Sequence, residues 1–195
     1  MDFTFLYYWD GYYFLQGFWF DIKELAAEAD PVLIGSAFIG LLALLLLLEI
    51  KRYRPKSWFY IVAAAIYYTF LLTVTLIGRA KGSVSSVDRL FETYTRAFGG
   101  DEAARLDILY NIVLYIPVGL LISHYRNNII NVIVLLLIPT GIEFLQLYTG
   151  RGVFEISDII NNFVGGLIGL FLARLIAKAV EIIKKKRKGG KVERT

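Results

Sequence analysis

Gly141–Gly169 reads GIEFLQLYTGRGVFEISDIINNFVGGLIG, and Asp107–Gly119, upstream of it, reads DILYNIVLYIPVG. Both stretches are apolar enough to enter a bilayer. Yet they carry Asp107, Asn111, Glu143, Gln146, Arg151, Asp158, Asn161 and Asn162. Ionisable and polar groups are costly in hydrocarbon, so in spanning helices they face a bundle interior or a wet cavity. Asp107 and Asn111 are four residues apart, and Glu143 and Gln146 three apart, so each pair shares a helix face. Asp158, Asn161, Asn162 and Gly165 continue as one stripe at helical spacing. Gly165 and Gly169 form a GxxxG, which lets a second helix approach closely, within one chain or between two.

Working outward, the 195-residue chain is 57% apolar with a mean hydropathy of +0.58. These values and the long uncharged runs define an integral membrane protein. A spanning helix needs about 20 mainly apolar residues. Candidates are residues 32–50, 58–77, 107–123, 129–148 and 157–180. The expected fold is therefore all-α, a polytopic transmembrane bundle of about five spanning helices. Residues 1–31 form an aromatic and acidic N-terminal segment (MDFTFLYYWDGYYFLQGFWF at its start), expected at the interface or half inserted, because Trp and Tyr prefer headgroup depth. Residues 32–180 form the transmembrane domain, and residues 181–195 a basic tail. Between the second and third spans, Val87, Leu90, Phe91, Tyr94 and Phe98 recur at helical spacing. They predict an amphipathic helix on the outer membrane surface, ended by Gly99-Gly100.

Basic residues set the orientation. Lys51, Arg52, Arg54 and Lys56 lie in a short loop without an acid, and KKKRK occupies residues 184–188. Both regions are expected to be cytoplasmic, and the four crossings between them agree. The polar cluster then faces outside. The pI of about 9.2 reflects this asymmetry, and no nucleic-acid partner is implied. There is no cysteine, and His124 is the sole histidine, expected to be solvated in an inner loop. Disulfides, thiolate catalysis and multi-histidine metal sites are thereby excluded.

Several residues fit two roles. Asp107 and Asp158 suit helix capping or a functional site. Glu143, deep in an apolar run, calls for a partner such as Arg79 or Arg151, in an ion pair or a site. Pro117 and Pro139 lie inside spans and can kink them, for packing or to open a cavity.

Arg79, then Asn111-x-x-x-Tyr115-x-Pro117-x-Gly119, then Glu143-x-x-Gln146, Arg151, and Asp158-x-x-x-Asn162-x-x-Gly165 with Gly169 follow a recognisable order. This pattern resembles the VanZ-like membrane proteins. Tyr115 stands where phenylalanine is commoner, and the proline-phenylalanine pair often found before the surface helix is missing. The resemblance implies a bacterial plasma-membrane protein of the cell envelope, and an association with resistance to teicoplanin and related lipoglycopeptides. It leaves the reaction, if any, open. The expected site comprises Arg79, Asp107, Asn111, Glu143, Gln146, Arg151, Asp158, Asn161 and Asn162. Partners are the bilayer and, at the site, a lipid-linked wall precursor or a lipoglycopeptide. One reading is ligand binding, with the arginines on phosphate or carboxylate. It requires no cofactor and no metal. The alternative is a hydrolase or transferase using Asp107, Glu143 and Asp158, either as acid and base or as ligands of Mg²⁺ or Ca²⁺. A transporter or flippase is the third, disfavoured because the polar residues stop in the outer half.

Overall fold

The computed structural model describes residues 34–35, 38–39, 58–77, 91–124 and 128–192. These residues are helical apart from short turns. The long elements are α1 (Trp58–Leu72, extended by a π-helical turn, Thr73–Ile77), α3 (Glu102–Ile122), α4 (Asn128–Thr149) and α5 (Ile156–Val192). A short helix, α2 (Glu92–Phe98), precedes α3. Among the described residues four helices are long and apolar enough to cross a membrane. The aromatic segment 1–31, most of the first expected span and Arg79 lie outside the described residues; only Ile34, Gly35, Phe38 and Ile39 of that span are seen, all helical.

The chain divides into two compact units. The first comprises Met1–Ser86 and Leu145–Val153, the second Val87–Phe144 and Phe154–Thr195. In the first, Ile61, Ala64, Ala65, Leu71 and Ile77 are buried. Ile34, Gly35 and Phe38 line an open apolar groove of about 390 Å³ with Ile66 and Thr69 of α1. The buried hydroxyls of Thr69, Thr73 and Thr75 donate to the carbonyls of Ala65, Thr69 and Leu71, at 2.8, 2.9 and 2.7 Å. Bonding back to the i−4 carbonyl lets a threonine lie in an apolar helix without an external partner.

The second unit is organised by the packing of α3 on α5. Gly165 lies against the Ile112 carbonyl, and Gly169 against the Ile116 carbonyl and the Gly119 Cα. The contacts advance in the same direction along both helices, so α3 and α5 run parallel, with α4 as the return span between them in sequence. A Cβ on Gly169 would come within 2.9 Å of both Gly119 Cα and Leu120 N. Only a residue without a side chain permits that approach. The GxxxG therefore packs within the chain. Leu114, Tyr115, Val118, Leu135 and Leu170 complete this core. Ile129, Ile133 and Leu137 of α4, and Phe171, Leu175 and Ile176 of α5, are exposed. Exposed aliphatic side chains suit helices whose outer solvent is lipid.

The structure moves several expected boundaries. α3 begins at Glu102, capped by Asp101, whose side chain accepts from the Ala104 amide. Asp107 is thus inside the helix and is not its cap. Asp158 likewise sits in the first turn of α5, past the cap position. α5 continues to Val192, so the described part of the basic tail, residues 181–192, is helical. Pro117 and Pro139 lie inside α3 and α4, which run through them. The described surface helix runs Glu92–Phe98, capped by Phe91 in a left-handed conformation (φ 66°) and by Gly99. Val87 and Leu90 lie outside the described residues. His124 is half-buried in the turn after α3, not solvated.

Replacing Gly169 by alanine should destabilise the purified protein by about 1–3 kcal/mol, since the added methyl meets backbone that cannot turn aside. Gly141→Ala, where nothing lies within 4 Å, should be neutral or stabilising by up to about 1 kcal/mol. Thermal unfolding of both variants in one detergent checks the contrast.

Candidate functional site

α5 opens with ISDIINN, and its first two turns hold most of the site in the second unit. Ser157, Asp158, Asn161 and Asn162 are all buried there, at 3, 7, 3 and 3% exposure. The parallel packing of α3 sets Asn111 opposite, and its Nδ2 donates to Asp158 Oδ1 at 2.8 Å. The first turn of a helix favours a carboxylate, because unpaired amides and the helix dipole point there. Glu143 of α4, 1% exposed, accepts the Glu155 backbone N–H at 2.9 Å, at the residue just before α5. A carboxylate expected to meet an arginine thus has the start of α5 among its partners.

Helix α2 closes over the same turn. The Tyr94 hydroxyl donates to Asn161 Oδ1 at 2.7 Å. The Ser157 hydroxyl donates to Thr93 Oγ1, and Thr93 Oγ1 donates to Glu155 Oε2, each at 3.3 Å. Phe91 and Phe98 of the same segment stay exposed, at 47 and 89%. The stripe that reads as membrane contact therefore splits, with Phe91 and Phe98 outward and Tyr94, beside Thr93, on the site. In the last turn of α2, the Arg96 guanidinium grips Asp101 at 2.7 Å and holds its carboxyl below the usual carboxylate range.

Ligand atoms of Asp107, Glu155 and Asp158 all lie within 4.8 Å of one another. Asp107 is exposed, Glu155 half-buried and Asp158 buried. Such a cluster can hold a cation, or a headgroup rich in hydrogen-bond donors. Two further buried atoms, Asn161 Nδ2 and Asn162 Oδ1, have no hydrogen-bond partner among the described residues.

Gln146 and Arg151 act in the first unit. Gln146 Nε2 donates to the Thr75 carbonyl at 2.8 Å. Arg151 Nη1 donates to the carbonyls of Ile77 and Leu76, at 2.7 and 3.4 Å. These are the last described carbonyls of the π-helical turn.

Of the expected site residues, Asp107, Asn111, Glu143, Asp158, Asn161 and Asn162 thus belong to the second unit, and Gln146 and Arg151 to the first. Thr93, Tyr94, Ser157 and Glu155 join the site unannounced by the sequence pattern. For Tyr94 the available signal was a phenol hydroxyl within an otherwise apolar stripe.

Four helices long and apolar enough to cross a membrane, with buried polar side chains at the start of α5, define a membrane protein. The chain belongs to the VanZ/LLP1 family, whose model matches residues 57–177, more than half its length and every candidate site residue. No curated protein and no solved structure matches it.

Burial, and secondarily the Asp158 charge, raise the Tyr94 pKa above the ordinary tyrosine value. The folded state then holds this proton more tightly than the unfolded chain. The resulting stability is fully present below about pH 10 and is lost as pH rises through the raised pKa. Tyr94→Phe should flatten the fall in thermal stability above about pH 10, measured against the parent at matched ionic strength. Gln146→Leu should lower stability by about 0.5–1.5 kcal/mol through loss of its hydrogen bond to the Thr75 carbonyl, in the same assay at neutral pH.

Proposed function

We propose that this VanZ/LLP1 protein binds the polar headgroup of an amphiphile at the start of α5, in the bacterial plasma membrane, with the cluster facing outside and the C-terminus in the cytoplasm. The observation that carries this reading is the pair of buried, unpartnered amide atoms, Asn161 Nδ2 and Asn162 Oδ1, beside a carboxylate cluster. A buried polar atom left without a hydrogen bond costs roughly 1–3 kcal/mol. Two such atoms within one helical turn make sense as groups that a ligand satisfies.

The ligand class follows from the surroundings. Asn161 offers a donor and Asn162 an acceptor, a combination that suits sugar hydroxyls or peptide amides. The exposed aliphatic faces of α4 and α5 suit the hydrocarbon part of a lipid. A lipid-linked cell-wall precursor combines both. Lowered susceptibility to teicoplanin would follow if the protein masks or alters the structure that the antibiotic recognises. The direct contacts of Arg151 with the end of α1 support a structural share in its role, beside any contact with phosphate.

A second reading is favoured by the three carboxylates. Asp107 is exposed and Asp158 buried, and carboxylates in such different environments can divide the roles of acid and base. That would make the protein a hydrolase or transferase acting on a lipid-linked phosphate or glycan.

Thermal stability of the detergent-purified protein against undecaprenyl phosphate, lipid-linked wall precursor and teicoplanin tests the binding reading. A ligand at a hundredfold its Kd should stabilise the parent by about 2.7 kcal/mol. Asn162→Leu should abolish that shift. Equal shifts in parent and variant, or none with any ligand, would overturn the assignment of the site. Release of phosphate or a shortened glycan during incubation would favour the enzyme.

A further inference from the structure

Helix α2 is fastened differently at its two ends. At its C-terminal end, Arg96 Nε and Nη2 both donate to Asp101 Oδ2, at 2.9 and 2.7 Å. Arg105 Nε of α3 donates to the Ala97 carbonyl at 2.8 Å. Asp101 is itself the cap of α3. This end of α2 is therefore tied to α3 by side chains as well as by the short connection through Gly99-Gly100. The other end meets α5 through Thr93 and Tyr94. The Tyr94 hydroxyl donates to Asn161 Oδ1 at 2.7 Å. Thr93 meets the Ser157 hydroxyl and the Glu155 carboxylate at 3.3 Å each, which is long for a bond between oxygens. One good hydrogen bond, from Tyr94, thus dominates the attachment to α5.

The backbone marks both ends of α2. Phe91, just before it, has φ 66° and is the one non-glycine residue with a positive φ among the described residues. A bulky side chain is disfavoured in that region, so the conformation is held in place by its surroundings. Gly100, between α2 and α3, has φ 101°, and nothing lies within 4 Å of where its Cβ would be. The first position stores strain at the α5 end, and the second is a joint with room to turn.

Beneath the attachment lies the site. Asn161 is 3% exposed, and its Nδ2 has no hydrogen-bond partner, while its Oδ1, on the same carbon, is held by Tyr94. A ligand bound for the Asn161 amide meets Tyr94 first. On the outer side of the segment Phe91 and Phe98 are exposed. Aromatic side chains are favoured at headgroup depth, where α2 can move without carrying them into water.

We propose that α2 is a lid over the start of α5, jointed at Gly99-Gly100 and latched by Tyr94 on Asn161, and that its N-terminal end lifts to admit the headgroup. The last clause rests on the headgroup reading above; the lid and its latch do not. Lids commonly turn on a few loop residues and open locally while the rest of the fold stays closed.

The chain has no cysteine, so a single introduced thiol reports its own exposure. Ser157→Cys places one beneath α2, and Val118→Cys places one in the α3 core, at 0% exposure. The test measures their rates of modification by a charged, water-soluble methanethiosulfonate, in the full chain in detergent, with and without Tyr94→Phe. The Ser157→Cys thiol should react slowly. Tyr94→Phe should speed it by roughly tenfold, the factor that loss of one hydrogen bond gives. The Val118→Cys thiol should stay unreactive in both backgrounds. A Ser157→Cys thiol as inert as Val118→Cys, or one that Tyr94→Phe does not speed, would overturn the lid. Equal reaction at Val118→Cys would show general unfolding and overturn it too. A parallel arm adds undecaprenyl phosphate or lipid-linked wall precursor. Protection of the Ser157→Cys thiol by either lipid, together with the Tyr94→Phe effect, supports the whole proposal. The Tyr94→Phe effect without protection keeps the lid and overturns its link to the headgroup. Protection without the Tyr94→Phe effect keeps the headgroup reading and overturns the lid.

Discussion

Backbone contact between α3 and α5 is the constraint on which the second unit depends. With Gly165 against the Ile112 carbonyl and Gly169 against Gly119, the two helices approach as closely as helices can. In a bilayer, where lipid tails are as apolar as leucine, such contact is a principal source of helix association. It also has a geometric result. Helices packed in parallel bring the middle of α3 beside the first turns of α5, so Asn111 reaches Asp158. A leucine at either glycine would separate the helices and the polar cluster with them.

A second theme is how polar groups are kept satisfied inside an apolar bundle. Threonines bond back to their own helix. Gln146 and Arg151 take the last carbonyls of α1 and its π-helical turn, while Glu143 takes the amide before α5. Three residues that look catalytic by composition are thus engaged with backbone groups. Asn161 Nδ2 and Asn162 Oδ1, buried in the first two turns of α5, have no hydrogen-bond partner among the described residues. Buried amide atoms in that position are where a ligand has something to do.

The sequence announced much of this. Apolar runs of spanning length placed α1, α3, α4 and α5 to within a few residues at most ends, because hydrophobic thickness dictates element length. The stripe Asp158, Asn161, Asn162, Gly165 and Gly169 marked one face of α5, because helical period is a local property. The start of α3 was less legible. Asp101 caps it, and Glu102, Arg105 and Asp107 lie within its first two turns, so the apolar run begins later than the helix does. The end of α5 was missed for a related reason: lysines tolerate helix well, and charge alone does not stop one.

What the sequence determined by itself was the class of protein, the faces of its helices and the residue types available for chemistry. Those follow from hydropathy, period and composition, which are carried by neighbouring residues. Tertiary structure alone decided partners. It showed that the GxxxG packs inside one chain, that Glu143 meets a backbone amide, and that Tyr94 of the stripe and its neighbour Thr93 meet the start of α5. It also gathered Asp107, Glu155 and Asp158 from separate elements. Such pairings depend on how helices far apart in the chain approach one another, and spacing along a single helix does not encode that approach.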